Sequence, residues 1–371
     1  MRTFAELWSS LAGAIKSSPR QPATAIAIPR SHIDDNRDGE LESSFKKDQN
    51  YFGVVINEMY LATQRQWLAT IDPVVYVVSE FTYNQQAQVV PFLLGPALLT
   101  KKGVPDQYGK KGMIFRNESV SGLHPYRGGG LTLTVVLCQA QTGNVARQLL
   151  KVLENATDAL NFSPMLAPYM KVANVVIDGF DSLFSSGGVT PLAGLRDSFG
   201  PNFNIPFRPG YFTLVDSPNV DPATLWVQNR QLMQGSSWDN LQPYRSADFV
   251  LYSMMGPADN LRDDTDSLPF RDTWQQIWKL AGTGRAADWE DAKRQMAALN
   301  DSISFSPDLT ETQAEKLADE YWNKLQAHHD KAQSRATMGD GGVQEGQERI
   351  DRIRRRSIAI INTKSKPAGA V

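Results

Sequence analysis

Between Asp72 and Leu94, two dense runs of β-forming residues, Val74 to Tyr83 and Val89 to Leu94, flank a short polar connector, Asn84-Gln85-Gln86. β-Branched and aromatic side chains favour extended backbone, and a brief polar loop between two such runs is the pattern of an antiparallel hairpin. Successive side chains of a strand point to opposite faces, so a hairpin this apolar must be covered on one face. The segment identifies a β core and, by itself, no chemistry.

The β texture continues on both sides. Phe52 to Leu61, Met113 to Ser119 and Leu131 to Gln139 favour β-branched, aromatic or alternating residues, separated by the turn signals Lys102-Gly103, Tyr108-Gly109, Ser121-Gly122 and Gly128-Gly129-Gly130. No helical period intervenes, which predicts antiparallel pairing rather than a βαβ sheet. Val77-Val78-Ser79-Glu80-Phe81 before Val90-Pro91-Phe92 suits a C2-like or immunoglobulin-like sandwich. Later β segments, Tyr211 to Val215, Leu225 to Met233 and Asp248 to Met255, either complete that sandwich or build a small second sheet. The expected class is α+β: an antiparallel β-sandwich with inserted helices and a C-terminal helical region.

Helical signals bracket this core. Phe4, Leu7, Trp8, Leu11 and Ile15 recur at helical spacing, and Thr3 with Glu6 fits a capping box, predicting an amphipathic helix within residues 1–16. Glu6 and Lys16 interrupt what would be a secretory apolar region, so a signal peptide is not expected. Residues 17–50, with Pro19, Pro22 and Pro29 and then a charged segment, read as a linker or charged loop. The span 51–268 is expected to be mainly β-sandwich, with helices near 143–185 carried by stripes from Val145 to Leu160 and from Tyr169 to Leu183. Gly187 to Pro209 reads as a glycine-proline connection.

Residues 269–330 form a helical region of three stripes. The first runs from Trp274 to Ala281 and ends at Gly282, expected as a left-handed C-cap; the second holds Trp289, Met296 and Leu299. The third starts at Thr310 with Gln313 in capping-box register. Residues 331–371 read as a flexible tail with a basic end.

Composition bounds the function. At 371 residues, with 41% apolar and 21% charged residues, the chain has a globular balance that excludes wholesale disorder and a polytopic membrane protein. A formal net charge of −2 supplies no global field toward nucleic acid or anionic membrane. The lone cysteine, Cys138, lies in an apolar run and reads as a small buried hydrophobe; no intramolecular disulfide can form, and a cytoplasmic setting is expected.

Candidate sites are sparse. Asp34, Asn36, Asp38 and Gly39 follow the start of a calcium-binding loop, but its closing glutamate position is Phe45, leaving weak metal candidates in what otherwise reads as a charged loop. His124, Tyr126 and Arg127, just before three glycines, form a ligand-loop candidate set against a turn packed by its aromatic residue. His328 and His329 are expected to be solvent-prone at a helix end. Asp263, Asp264 and Asp266 read as helix-capping acids. Arg352, Arg354, Arg355 and Arg356 offer a surface for an acidic partner or, through this tail only, nucleic acid; interleaved acids moderate it. No nucleophile elbow, phosphate-binding loop or dinucleotide fingerprint occurs.

The leading expectation is a non-enzymatic interaction or assembly protein without cofactor, acting on another protein or on itself. Its expected docking residues are Phe4, Leu7, Trp8 and Leu11 on the N-terminal helix, and the tail arginines. A membrane-acting effector regulated by proteolysis or assembly is the second expectation. An enzyme of unrecognised type, using His124, Arg127, Asp263 and Asp264, is the third.

Overall fold

The computed structural model describes residues 3–18, 22–34, 44–62, 65–66, 69–83, 86–95, 114–119, 123–141, 173–203, 205–256, 261, 268 and 270–335. The helical stripe expected from Val145 to Leu160, the acids Asp263, Asp264 and Asp266, Asn36, Asp38 and the arginine-rich end lie outside them. The chain divides into two compact units, one holding the described residues up to 261 together with 307–313, the other 268–306 and 314–335.

In the first unit the strands are, in chain order, β1 (Thr24–Ala27), β2 (Tyr51–Tyr60), β3 (Arg65–Gln66), β4 (Ala69–Tyr83), β5 (Gln86–Leu94), β6 (Ile114–Ser119), β7 (His124–Pro125) and β8 (Leu131–Gln141). They continue as β9 (Val189–Phe199), β10 (Gly210–Val215), β11 (Leu225–Gln228), β12 (Gln231–Gln234), β13 (Gln242–Pro243) and β14 (Phe249–Met255). Among the described residues two α-helices accompany them, α1 (Phe4–Ser17) and α2 (Ala173–Ser185).

All strand pairs in the sheets are antiparallel. One sheet runs β1-β10-β14-β2-β6 with β7 beside β2, a second runs β3-β4-β8-β9 with β5 beside β4, and a third is β11-β12-β13. The hairpin read from the sequence is β4–β5, paired from Val75 with Leu94 to Tyr83 with Gln86. Its density has a physical cause: Val74 to Val78 are all fully buried, so both faces of β4 are covered and no polar alternation survives. On one face Tyr76 stacks on Phe180 of α2, with ring centroids 4.0 Å apart. Side chains of the second sheet also share a core with those of the first, as where Phe199 of β9 meets Phe212 of β10 edge-on at 5.4 Å and Phe212 lies against Tyr252 of β14.

Helix α1 forms from Phe4 with the Thr3–Glu6 capping box in place, each partner satisfying a backbone amide of the other. It lies on β9. A Cβ added at Gly194 would stand 2.7 Å from Ile15 Cδ1 and 3.7 Å from Trp8 Cη2, so the glycine permits the close approach.

Several expectations are corrected. The stretch 17–50 is not only a linker, because β1 pairs along the edge of β10; four residues are too few to show a period, and the neighbouring edge recruits them. Gly187 to Pro209 holds the eleven-residue strand β9. Pro191 is tolerated there because β9 is an edge strand and the register slips next to its partner Cys138. Leu225 to Met233 is not one strand but the hairpin β11–β12, turned on Asn229 (φ 51°) and Arg230 (φ 62°). The alternatives left open for residues 211–255 are both realised, since β10 and β14 join the first sheet and β11 to β13 make the small one.

The second unit is helical: α3 (Arg271–Ala281), α4 (Ala286–Ser304) and the helical residues 314–335, α5. Aromatic stacks join them, Trp274 on Tyr321 at 4.3 Å, Trp278 on His328 at 3.9 Å and Trp289 on His329 at 4.2 Å. The histidine pair is therefore not solvent-prone: His329 is buried with Nδ1 3.3 Å from the Ala281 carbonyl. Burial, with Lys331 and Arg335 adding, holds His328 below the usual imidazole range. Gly282 is also not left-handed (φ −71°); it is small because a Cβ would fall 2.6 Å from His328 Nε2, and the left-handed turn is made by Gly284 at φ 68°.

Candidate functional site

The loop expected to meet a ligand is filled by the protein itself. His124 is buried, stacked on Phe52 with centroids 5.0 Å apart and edge-on to Phe81 at 4.5 Å. Tyr126 is buried against Phe52 and Phe207, and its hydroxyl donates to the Gly129 carbonyl at 3.1 Å. Phe45, which stands where a calcium loop would close on a carboxylate, packs on Phe207 at 4.8 Å in the same aromatic cluster.

Arg127 serves as a clamp. Its guanidinium donates to the Asp48 carboxylate at 2.9 Å and to the Leu309 carbonyl at 2.6 Å. Asp48, held at φ 60°, donates its N–H to the Tyr126 carbonyl and accepts from the Glu311 N–H through its own carbonyl. Tyr51 adds a hydroxyl that accepts from the Thr310 N–H at 2.9 Å, while Thr310 Oγ1 accepts from the Gln313 N–H as a helix cap. Segments 46–51, 124–130 and 307–311 are thus tied together by charge-assisted and backbone bonds, and the polar and aromatic groups of His124, Tyr126 and Arg127 named as a ligand loop make contacts within the chain.

Asp34 is likewise engaged. One carboxylate oxygen accepts from the Asn229 N–H at 2.6 Å, and the Asp34 N–H donates to the Val227 carbonyl at 3.1 Å. It clasps the β11–β12 turn, and among the described residues no group of three or more His, Cys, Asp or Glu side chains is arranged to hold a metal.

The docking face assigned to α1 is closed. Leu7 and Leu11 are fully buried and Phe4 nearly so, with Trp8 partly buried beside them, so the apolar stripe faces the chain's own core rather than a partner. No helix among the described residues is long and apolar enough to cross a membrane.

The small sheet has a different character. Leu225, Val227 and Leu232 point inward to Tyr211, Val215, Phe249 and Leu251. Trp226 and Met233, paired across β11–β12, alternate to the outer face. There Trp226 is sandwiched, with His32 stacked on it at 3.7 Å and Trp238 edge-on at 4.9 Å. The Trp226 indole N–H donates to Gly235 and His32 Nδ1 is 2.8 Å from the Leu225 carbonyl, which fixes both rings. Trp238 is the outermost ring of the ladder, 39% exposed. The turn carries Arg230 in the left-handed region, a conformation costly for a residue with a Cβ. Sequence reading missed this patch. The available signal was a tryptophan in the polar run Ser236-Ser237-Trp238-Asp239-Asn240, where a large ring has no core to enter.

Beneath the small sheet, Glu58 of β2 is fully buried. Its carboxylate pairs with Arg245 at 2.8 Å and accepts from the Leu232 N–H at 2.7 Å, while Arg245 lies 4.8 Å over the Tyr60 ring. Burial pushes the Glu58 carboxyl above its ordinary range, opposed by Arg245 and the amide. Burial likewise pushes up the hydroxyls of Tyr76 and Tyr252 and the thiol of Cys138, consistent with packing rather than nucleophilic roles.

Comparison of the chain with protein-family models, with curated proteins and with solved structures finds no match. Fold and site together define a mixed α+β protein whose described strands form antiparallel sheets, with a helical second unit and an aromatic ladder on its smallest sheet.

Proposed function

We propose that the chain is a non-enzymatic interaction or assembly protein. Its β-sandwich core, of the C2-like or immunoglobulin-like kind, offers the outer face of the small sheet to another protein or to a second copy of itself. The supporting observation is the ladder from His32 through Trp226 to the exposed ring of Trp238, rigidly held yet open to solvent at its end. Interface cores are enriched in Trp, Met and Arg, and a pre-organised aromatic loses little entropy on binding. The face of α1 has no part in the proposal. The arginines Arg352, Arg354, Arg355 and Arg356 enter it as an arm for an acidic partner, on their sequence alone. The lone buried cysteine is the ground for placing the protein in the cytoplasm.

Sedimentation velocity on the full chain over a concentration series, paired with affinity capture from extracts of cells that make it, tests the proposal with Trp238→Ala as the control. The expected result is a larger species or a discrete partner that the variant loses at unchanged melting temperature. Identical behaviour of the two chains, or substrate turnover abolished by one substitution in residues 124–127, would overturn it.

A further inference from the structure

From the last residue of β12 to the end of β13, residues 234–243 form a strip in which every residue but Gly235 and Leu241 is exposed. The strip is held from within. The Asn240 side-chain oxygen accepts the N–H groups of Ser236 at 3.1 Å and Ser237 at 3.0 Å, and its amide nitrogen donates to Ser236 Oγ at 2.8 Å. A Cβ at Gly235 would stand 2.9 Å from Leu241 Cδ2 and 3.0 Å from the Asn240 carbonyl oxygen, so the strip folds back closely on itself. Trp238 lies within it, edge-on to Trp226 and 39% exposed.

The strip is poor in charge. Its ten residues hold no lysine or arginine and one acid, Asp239, among hydroxyls and amides, in a chain of which 21% is charged. An acidic partner would find no cation there and a basic partner a single carboxylate, so charge complementarity selects neither. A copy of the same strip fits better. Across a two-fold axis a surface meets itself, which sets like charges against like; hydroxyls and amides carry both donor and acceptor and can pair with their own kind. β13 is an edge strand whose Pro243 has no N–H to give, so a copy docks through side chains rather than by extending the sheet.

We infer that this strip is the interface of a closed two-fold dimer, with Trp238 of each copy packed on the strip of the other. The inference rests on the interaction reading above and narrows its partner to a second copy of this chain.

Analytical ultracentrifugation of the full chain over a concentration series, alone and mixed with an Asp239→Lys variant, each labelled in turn with a fluorophore, tests the inference. The wild type is expected to reach a dimer and no larger species, and Trp238→Ala to weaken it at least about tenfold, as for an interface hot spot. At low salt the Asp239→Lys chain should bind the wild type about threefold more tightly than either chain binds itself, because unlike charges replace like ones, and added salt should erase the difference. Both residues are exposed, so the variants are expected to fold, and a melting curve for each identifies a fold defect. If Trp238→Ala melts early, the mixture decides. A chain that stays monomeric to its highest soluble concentration, growth beyond the dimer, a dimer untouched by a normally folded Trp238→Ala, or a mixture no tighter than its parents at low salt would each overturn it. If a monomeric chain still captures another protein through Trp238, this inference fails and the interaction reading stands; if it captures none, both fail.

Discussion

Helix α1 and the small sheet β11–β13 each bring an apolar face to the surface of a β core, and they resolve it in opposite ways. The helix turns Phe4, Leu7 and Leu11 inward and is held close by the missing side chain of Gly194. The sheet turns Leu225, Val227 and Leu232 inward and carries a second aromatic face, on which Trp226 is covered by His32 and Trp238, the latter ring 39% exposed. Amphipathic spacing marks a face that needs a cover and says nothing of what supplies it. A helix has one such stripe, whereas a strand alternates and can carry two. The exposed Trp238 end of the ladder on the small sheet is therefore the better candidate for contact with a partner.

The largest test of this contrast is Leu7→Asp, which puts a charge where Leu7 is fully buried. A loss of about 4 kcal/mol or more is expected in urea unfolding. A loss under about 1 kcal/mol, within the range of surface substitutions and mild core changes, would return α1 to the list of docking elements. Next comes Arg245→Ala, which strands the buried Glu58 carboxylate under the small sheet and should cost about 3 kcal/mol, discounted for the partial exposure of Arg245.

The same pair gives a pH test. With its carboxyl held above the ordinary value of 4.5, folded Glu58 keeps its proton to higher pH than the unfolded chain does. The folded state then binds more protons, so stability is highest at low pH for this group and falls as pH rises from 4.5 through the folded value. Glu58→Gln should flatten the pH dependence of the unfolding midpoint in that window. An unchanged slope would mean that Glu58 is ionised in the folded state across it.

Smaller effects come from the sheet's exposed edge. Arg230→Gly should stabilise the fold by up to about 1 kcal/mol, because the left-handed conformation strains a residue with a Cβ, less the entropy lost by glycine. If association falls while stability rises, Arg230 is retained for binding. Trp238→Ala should change stability by no more than about 0.5 kcal/mol, since the ring is substantially exposed. A loss of several kcal/mol instead would make the ladder a structural element of the small sheet.

The sequence by itself determined the elements that carry a local signature. The capping residues Thr3 and Thr310, the β4–β5 hairpin, the strands β2, β8, β10 and β14 and the stripes of α2 to α5 each announce themselves through spacing, branching or a cap over a few consecutive residues. Cys138 was legible as a buried hydrophobe for the same reason. Only the tertiary structure decided the rest. Strands β1 and β9 exist because a neighbouring strand edge offers hydrogen bonds to a short or proline-containing segment. Asp34, His124 and Arg127 look like ligand residues in sequence, but their partners Asn229, Phe52, Asp48 and Leu309 are remote in the chain, as are the rings that stack Trp226 between His32 and Trp238. Local propensity acts within a few residues, whereas the satisfaction of a buried charge or ring is settled by whatever the packed chain brings to it.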